Sequence, residues 1–245
     1  MASRAARRLL MDTTEILLIQ HFYELLEQIE NKIGRRRILA DCHGRMSWPE
    51  RGVYFFFEPG EERTTSGTGL RVVRVGTHAL RENSDRTLWD RLINHRGTVG
   101  GSNPGSGNHR GSVFREHVGT ALIKRDSWPE DIADNWGGSN APRHIKDAEV
   151  PLEQAISKHM GSMPFIWLEI DDEPGPASLR SYIERNSIAL LSNYHRENNP
   201  IDPPSESWLG QWAKSSKVKQ SGLWNSNHVD EDFDDQFFDA LKKLI

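Results

Sequence analysis

Cysteine is nearly absent from the sequence. Cys42 is the single cysteine in 245 residues, which excludes an intramolecular disulfide and a cysteine-rich zinc site. Long apolar runs are missing too, since no stretch approaches the roughly 18 residues that a membrane-spanning helix needs. The segment Met1–Leu10 is basic but contains no secretory apolar core. These absences predict a cytoplasmic protein of a reducing compartment that does not enter a membrane.

The sequence also lacks an excess of basic residues. It has 31 Lys and Arg against 35 Asp and Glu, a net charge of -4, which argues against a simple basic nucleic-acid binder. The charges are unevenly distributed, however. Between Arg91 and Arg125 the only acid is Glu116, whereas acids cluster from Asp230 to Asp239. A positive face can therefore coexist with a negative total charge.

Hydrophobic residues make up 36% of the chain and include 8 Trp and 9 Phe, which is enough for a substantial core. The length fits one α/β domain with additions. A capping-box-like start at Asp12–Glu15, followed by apolar residues at helical spacing, predicts a helix over about residues 13–33. Residues 1–11 are expected to be a disordered extension, and residues 12–49 an N-terminal helical segment.

Two runs rich in β-branched and aromatic residues, Gly52–Phe57 and Leu70–Gly76, predict an antiparallel hairpin because turn signals separate them. The Gly-, Ser- and Asn-rich stretch Gly97–Gly111 has no phosphate-loop motif and predicts a flexible surface loop. Apolar spacing predicts further elements, which are helices over Thr87–His95, Val113–Ile123 and Ala177–Asn193 and a strand over Pro164–Ile170.

These elements predict an α/β fold class, with a small central antiparallel sheet flanked by helices and with N-terminal helix and C-terminal helical additions. The core domain is expected over residues 50–195, with a polar insertion over residues 124–160. The extension 196–245 is expected to pack on the core through its last, amphipathic helix, although a partner chain could cover the same stripe. That stripe consists of Phe233, Phe237, Leu241 and Leu244.

Several residue types within the core domain suit phosphodiester hydrolysis, which needs an activated water and neutralisation of charge on the phosphoryl oxygens. Arg91 and His95 lie at i and i+4, so both can reach one phosphate from the same helix face. Glu184 sits among apolar neighbours, where a metal would relieve an unpaired carboxylate. Blander alternatives stay open: a surface arginine, a helix-terminal histidine, and a glutamate that is partly exposed or paired with Arg180.

In chain order, Gly52-Val-Tyr54, Val75-Gly76, Arg91-Leu-Ile-Asn-His95 and Glu184 within Ser181–Asn186 resemble the motifs of the GIY-YIG nuclease family. The resemblance covers roughly residues 50–195. It implies a metal-dependent endonuclease that cleaves DNA, expected to be double-stranded. It further implies that Tyr54 is the general base, that His95 tunes it, that Arg91 binds the scissile phosphate, and that Glu184 holds Mg²⁺, with Mn²⁺ as a substitute.

The sequence departs from the family pattern at two positions. Arg74 replaces the tyrosine of the second signature, and a guanidinium cannot accept a proton. If it points into the site, it is expected to position water or bind phosphate; if it points out, it is a sheet-surface residue. Asn193 is the candidate for the family's late asparagine, but it lies about half a helical revolution out of phase with Glu184. It can contribute only if the helix ends before it.

The basic stretch is expected to track the DNA backbone, through Arg96, Arg110, Arg115, Lys124 and Arg125. The additions around the core suit a sequence-specific, restriction-type enzyme and equally a repair nuclease. The free protein is expected to be a monomer that can dimerise on DNA. Two rival interpretations remain: a catalytically silent nucleic-acid-binding module, which Arg74 favours, and a protein-interaction domain anchored by Trp208, Trp212 and Trp224.

Overall fold

The computed structural model describes the backbone of residues 4–245 and the side chains of residues 13–245. Its centre is a four-stranded sheet in the order β1-β4-β2-β3. Each neighbouring pair of strands is antiparallel. The strands are β1 Arg37–Ile38, β2 Gly52–Glu62, β3 Leu70–Gly76 and β4 Pro164–Glu169. The predicted hairpin and third strand are therefore confirmed, and β1 adds a short edge strand.

Helices cover both faces of this sheet. They are α1 Arg4–Ile33, α2 Leu88–Arg96, α3 Val113–Asp126, α4 Glu130–Asn135, α5 Arg143–Ala148, α6 Val150–Gly161, α7 Leu179–Leu191, α8 Ser216–Ser221 and α9 Phe237–Lys242. Short 3₁₀ turns lie at Leu39–Asp41, His109–Gly111 and Leu209–Trp212. The arrangement confirms the predicted α/β class. Among the described residues, no helix combines the length and the hydropathy of a membrane span.

The alternation of side chains along β2 divides the core into two layers. Val53, Phe55 and Phe57 point to one face, where α1, α7 and α9 supply partners such as Phe22 and Ile183. The other face carries Tyr54 and Phe56 and packs against α2, α3, α6 and the aromatic C-terminal segment with Trp208 and Trp224. The second layer contains the candidate catalytic residue Tyr54, and α7 of the first layer carries Glu184.

Three segments differ from the expectations. Helix α1 begins at Arg4, so residues 4–11 form its first turns where a disordered extension was expected; their Ala, Arg and Leu residues favour helix. Residues 1–3 lie outside the described part. The polar insertion 124–160 contains α6, whose Leu152, Ile156 and Met160 are buried at i, i+4 and i+8. The stretch predicted as a flexible loop buries Ser106 and His109.

The C-terminal helix α9 packs on its own chain. Phe237 and Leu241 are buried in the layer that contains α1 and α7, and Phe233 and Leu244 pack partly against it. The Phe237 ring lies 6.1 Å from the Phe22 ring of α1. The apolar stripe of this helix is thus used within the monomer.

Candidate active site

Tyr54 is held at the site by the pairing of β2 with β3, in which it lies opposite Gly76. A side chain at position 76 would place its Cβ 2.6 Å from Cε2 of Tyr54, and closer still to Cζ and the hydroxyl oxygen. The glycine therefore gives the phenol ring its place against the backbone of β3. Gly52 has a similar role on the other side, because a Cβ there would collide with the carbonyl oxygen of Leu168 on β4.

Helix α2 presents His95 to the Tyr54 hydroxyl. The helix starts at a complete capping box between Thr87 and Asp90, which fixes its register. Nε2 of His95 lies 2.8 Å from the Tyr54 hydroxyl oxygen, and Nδ1 lies 2.9 Å from Oγ of Ser112. His95 is fully buried, and this burial holds its pKa well below the ordinary histidine value. A neutral ring has one donor and one acceptor nitrogen, which is what two hydroxyl neighbours require.

Arg91 lies one turn before His95 and contacts the same hydroxyl. Its Nε donates to the Tyr54 oxygen at 3.4 Å, and its Nη1 donates to the carbonyl oxygen of Gly111 at 3.2 Å. Tyr54 is the chief cause of a raised pKa for the Arg91 guanidinium, with burial acting in the opposite direction. Arg91 therefore remains a fixed cation beside the phenol.

A cleft of about 360 Å³ opens next to Arg91. The loop after β3 forms one wall and the exposed side of α2 the other, and the polar lining includes Thr77, His78, Arg81, Arg86 and Asn94. Burial lowers the pKa of His78 to about 4, so this imidazole is neutral at physiological pH. Arg81, Arg86 and Arg91 outweigh the single acid of the lining, Asp90, and Arg91 connects this concave surface to the buried Tyr54 hydroxyl. Such a surface suits a phosphate.

Glu184 joins the site through the end of β3. Its Oε1 accepts a hydrogen bond of 3.1 Å from the backbone N–H of Thr77, the residue directly after Gly76. Burial raises the pKa of this carboxyl group, against the opposing charges of Arg74, His228 and Arg91. The alternative partner suggested by the sequence, Arg180, is instead paired with Asp172.

Arg74 points into the site and not onto the sheet surface. Its side chain is buried, its Nη1 donates to the carbonyl oxygen of Trp224 at 2.6 Å, and its guanidinium lies 5.3 Å from the centre of the Phe114 ring. Burial lowers its pKa, and the charges of Tyr54 and Glu184 oppose that effect. The residue that replaces the second signature tyrosine therefore supplies a buried cation whose charge acts on both the phenol and the carboxylate.

A family model described as the GIY-YIG domain matches residues 14–245. This chain belongs to the GIY-YIG family. No curated protein and no solved structure matches the chain. Membership assigns nuclease activity on nucleic acid at the level of the family, and the family match extends well beyond the residues 50–195 that carry the sequence motifs. The N-terminal helix and the C-terminal extension are thus part of the GIY-YIG match.

The donor set of the GIY-YIG site is compatible with one divalent cation. Within the described part of the chain, no group of three or more His, Cys, Asp or Glu residues could enclose a metal. Glu184 offers a single carboxylate, and Thr77 N–H is its only hydrogen-bond donor among the described residues. Mg²⁺ keeps several waters and commonly uses one carboxylate together with substrate phosphate oxygens. The residues present fit a cation of that kind.

Asn193 does not belong to the GIY-YIG site. Helix α7 ends at Leu191, as its participation would require, but both ends of its buried amide are used elsewhere. Its Nδ2 donates to the carbonyl oxygen of Ile201 at 2.9 Å, and its Oδ1 accepts from the N–H of Ile201 at 2.8 Å. The expected catalytic role is corrected to that of a clamp between two loops.

The residues expected to contact DNA differ in whether their charges are free to bind a phosphate. The expectation is wrong for Arg115, which is fully buried and donates from Nε to Glu153 at 3.0 Å, so it cannot contact a phosphate. Arg110 forms a two-pronged pair with Glu149 at 2.7 and 2.8 Å.

The other expected DNA contacts lie nearer the surface. Arg125 pairs with its neighbour Asp126, and half-exposed Arg96 donates to the carbonyl oxygen of Ala40 at 3.1 Å. Lys124 is exposed and has no ion-pair partner among the described residues.

Sequence reasoning missed Ser112 and Thr77. Ser112 was readable as a helix cap, since it precedes α3 and accepts a hydrogen bond from the N–H of Arg115. Its contact with His95 had no signal in the sequence. Thr77 holds Glu184 with its backbone N–H, which any residue except proline supplies at that position.

Proposed function

We propose that this GIY-YIG protein is a Mg²⁺-dependent endonuclease that hydrolyses phosphodiester bonds in double-stranded DNA, with Mn²⁺ as a substitute cation. One observation carries the proposal: the Tyr54 hydroxyl contacts both His95 and Arg91 at the edge of an arginine-lined cleft. A base and a cation for the phosphoryl group are thus in contact, and Glu184, on which the charge of Arg91 acts, supplies a carboxylate for a metal. Phosphodiester hydrolysis requires these three groups.

His95 orients Tyr54. A neutral His95 accepts the Tyr54 hydroxyl hydrogen bond at Nε2 and donates from Nδ1 to Ser112 Oγ, which leaves a lone pair of the tyrosine oxygen for an attacking water. The charges of Arg91, Arg74 and Arg115 act with burial against an imidazolium, so His95 does not store the proton. The Tyr54 hydroxyl first loses its own proton to solvent, and His95 then donates to the phenolate from Nε2 in its other neutral tautomer. The phenolate takes one proton of the water, whose oxygen forms the new bond to phosphorus.

Arg91 neutralises negative charge on the phosphoryl oxygens as that bond forms. Its planar guanidinium suits a two-pronged contact, and the Gly111 carbonyl fixes its orientation. Glu184 would hold Mg²⁺, which when bound stabilises charge on the leaving oxygen as the phosphorus–oxygen bond breaks. Thr77 positions that carboxylate from the end of β3.

Incubation of the purified protein with supercoiled plasmid, with and without Mg²⁺, tests the proposal. We expect cleavage only with the cation, and we expect Glu184→Gln to abolish it while DNA affinity stays within a few-fold, because a metal ligand is lost but the basic surface remains. The matched control is Glu197→Gln, an exposed acid beyond α7, which should cleave normally. Full Mg²⁺-dependent activity of the Glu184 variant would remove this residue from the site.

The form of the products decides the finer points. Discrete fragments support the sequence specificity of a restriction-type enzyme, and smears support a nonspecific nuclease. Intact plasmid with a gel shift supports the second candidate function, a DNA-binding module without activity. Arg74 is the observation that favours this candidate, since it removes one ionisable hydroxyl from the site.

A further inference from the structure

A second concave site lies apart from the Tyr54 cleft, between α3, α4 and the segment around α8. It has a volume of about 330 Å³, within the usual range of ligand sites. Its chemistry comes from two tryptophans and three lysines, Trp136, Trp212, Lys124, Lys214 and Lys219. No acidic side chain is among its lining residues in the described part of the chain. Aromatic and cationic groups thus converge on one pocket.

The lysines of this pocket have no internal counter-charges. Within the described residues, Lys124, Lys214 and Lys219 form no ion pair. Lys217, which lies on α8 together with Lys219, instead pairs with Asp230 at 2.8 Å. The acids nearest Lys124 along the chain are exposed ones on α4 and Asp126, which is already paired with Arg125. Those nearest Lys214 and Lys219 are exposed Glu206 and Asp230, which is already paired with Lys217. Unpaired cations around a concave surface attract an anion.

The two tryptophans differ in availability. The Trp136 ring stacks on His109 with a centroid distance of 3.6 Å, and its Nε1 donates to the carbonyl oxygen of Glu116 at 3.1 Å. It is therefore a fixed wall. Trp212 is half-buried, and its ring forms no aromatic contact with any other described residue. A flat aromatic group of a ligand can stack on it, as nucleobases do on exposed tryptophans.

Helix α3 links this pocket to the active site. Ser112, which contacts His95, caps its N-terminus, and the pocket lies along the same helix at Thr120 and Lys124. At roughly 1.5 Å per residue this separation is about 12–18 Å. A DNA strand that advances roughly 3.4 Å per nucleotide covers it in about four to five nucleotides. The N–H of Lys214 donates to Thr120 Oγ1 at 3.2 Å, which fixes the far wall on α3.

We propose that this pocket binds one unpaired nucleotide of a DNA strand that reaches it from the Tyr54 site. The base stacks on Trp212, and the flanking phosphates face Lys124, Lys214 and Lys219. The nucleotide is unpaired because a base within a duplex has both faces covered by its neighbours in the stack. The identity of the strand rests on the proposed endonuclease function, whereas the preference for an aromatic anion rests on the pocket alone.

Binding measurements by fluorescence anisotropy test this inference. The probes are a short labelled mixed-sequence duplex, either blunt or with a thymidine tail on its 5′ or 3′ end. All proteins carry Glu184→Gln and are measured in EDTA, so that the probes stay uncut and only binding is measured. The variants are Trp212→Ala, Trp212→Phe, the triple change of Lys124, Lys214 and Lys219 to Gln, and the matched control Lys217→Gln. Circular dichroism establishes that each variant is folded.

We expect Trp212→Ala to weaken binding of one tailed probe roughly 5- to 100-fold, the usual effect of losing one stacked base, with little effect on the blunt duplex. Trp212→Phe should restore much of this affinity. The triple lysine variant should reduce the salt dependence on that probe by a slope of about 2, which corresponds to three phosphate contacts on a single strand. Lys217→Gln should leave it unchanged.

Equal losses on tailed and blunt probes, or no change in any variant, would overturn the inference, as would failure of the parent protein to bind the probes. The two proposals fail separately. A protein that discriminates tailed DNA through Trp212 but never cuts DNA would refute the proposed endonuclease function and leave the pocket intact. Cleavage by a protein whose binding ignores Trp212 and the three lysines would refute the pocket alone.

Discussion

Substitution of Gly76 by alanine should displace the Tyr54 side chain without replacing any ionisable residue. The added Cβ would lie 2.6 Å from Cε2 of Tyr54 and closer to its hydroxyl oxygen, whereas ordinary van der Waals contact begins near 3.4 Å. The ring must therefore retreat by about 1 Å, and its 2.8 Å contact with His95 then exceeds hydrogen-bond distance. A misplacement of roughly 1 Å can cost about 100-fold in rate, and overpacking costs about 1–3 kcal/mol of stability.

Single-turnover cleavage and thermal unfolding measure the two effects of Gly76→Ala. The matched control is Gly100→Ala, where a Cβ meets no atom within 4 Å and the backbone needs no positive φ. A Tyr54→Phe background supplies the second control: because both changes remove the same hydroxyl contact, the double variant should cleave no more slowly than Tyr54→Phe. Wild-type rates for Gly76→Ala, or full additivity in the double variant, would refute a role for this strand register in catalysis.

Five further outcomes are expected. Arg91→Lys should lower the cleavage rate strongly in the plasmid assay, since an ammonium cannot reproduce a two-pronged phosphate contact. Glu153→Gln should lower the free energy of unfolding by about 3–5 kcal/mol, because it leaves the buried Arg115 cation unpaired. Hydrogen bonds from His109 and charge from Arg115 hold the Glu153 pKa low despite burial, so wild-type stability is present above the ordinary glutamate range and falls as the pH drops through the lower folded-state pKa. Asn193→Ala should keep normal cleavage but lose roughly 2 kcal/mol of stability in urea unfolding, because both backbone groups of Ile201 lose a partner. Light scattering should show a monomer in free solution, since α9 is packed on its own chain, and a stable dimer without DNA would contradict this.

The sheet and the helices around it were predictable because their signals are local. Aromatic and β-branched residues between turn signals predicted the strand at Gly52–Phe57, and the apolar spacing of Leu88 and Leu92 predicted α2. The order of motifs then placed Tyr54, Arg91 and His95 on elements that can meet. The structure brings their side chains together within hydrogen-bond distance.

The stretch Gly97–Gly111 was misread because its order comes from partners far along the chain. Its composition has few apolar residues, yet His109 is buried by a hydrogen bond of 2.9 Å to Glu153 and by the Trp136 ring. Arg115 was wrongly predicted to contact DNA for the same reason. Its local sequence does not distinguish an arginine that binds phosphate from one that pairs with an acid inside the protein. Tertiary contacts decide such cases. Here they are the ion pairs to Glu153 on α6 and the ring of Trp136, directly after α4, both in the region expected to be a polar insertion.

The replacement of the second signature tyrosine by Arg74 assigns the remaining roles in the site. A guanidinium cannot take a proton, so among the groups gathered around the Tyr54 hydroxyl the candidates for a base are Tyr54 itself and His95. Burial and the charges of the surrounding arginines keep His95 uncharged, which leaves it as an orienting acceptor. In the proposed mechanism Tyr54 therefore carries the base function alone. The charge of Arg74 acts on Glu184 as well as on Tyr54, so in the proposed mechanism it assists the cation in neutralising negative charge at the site.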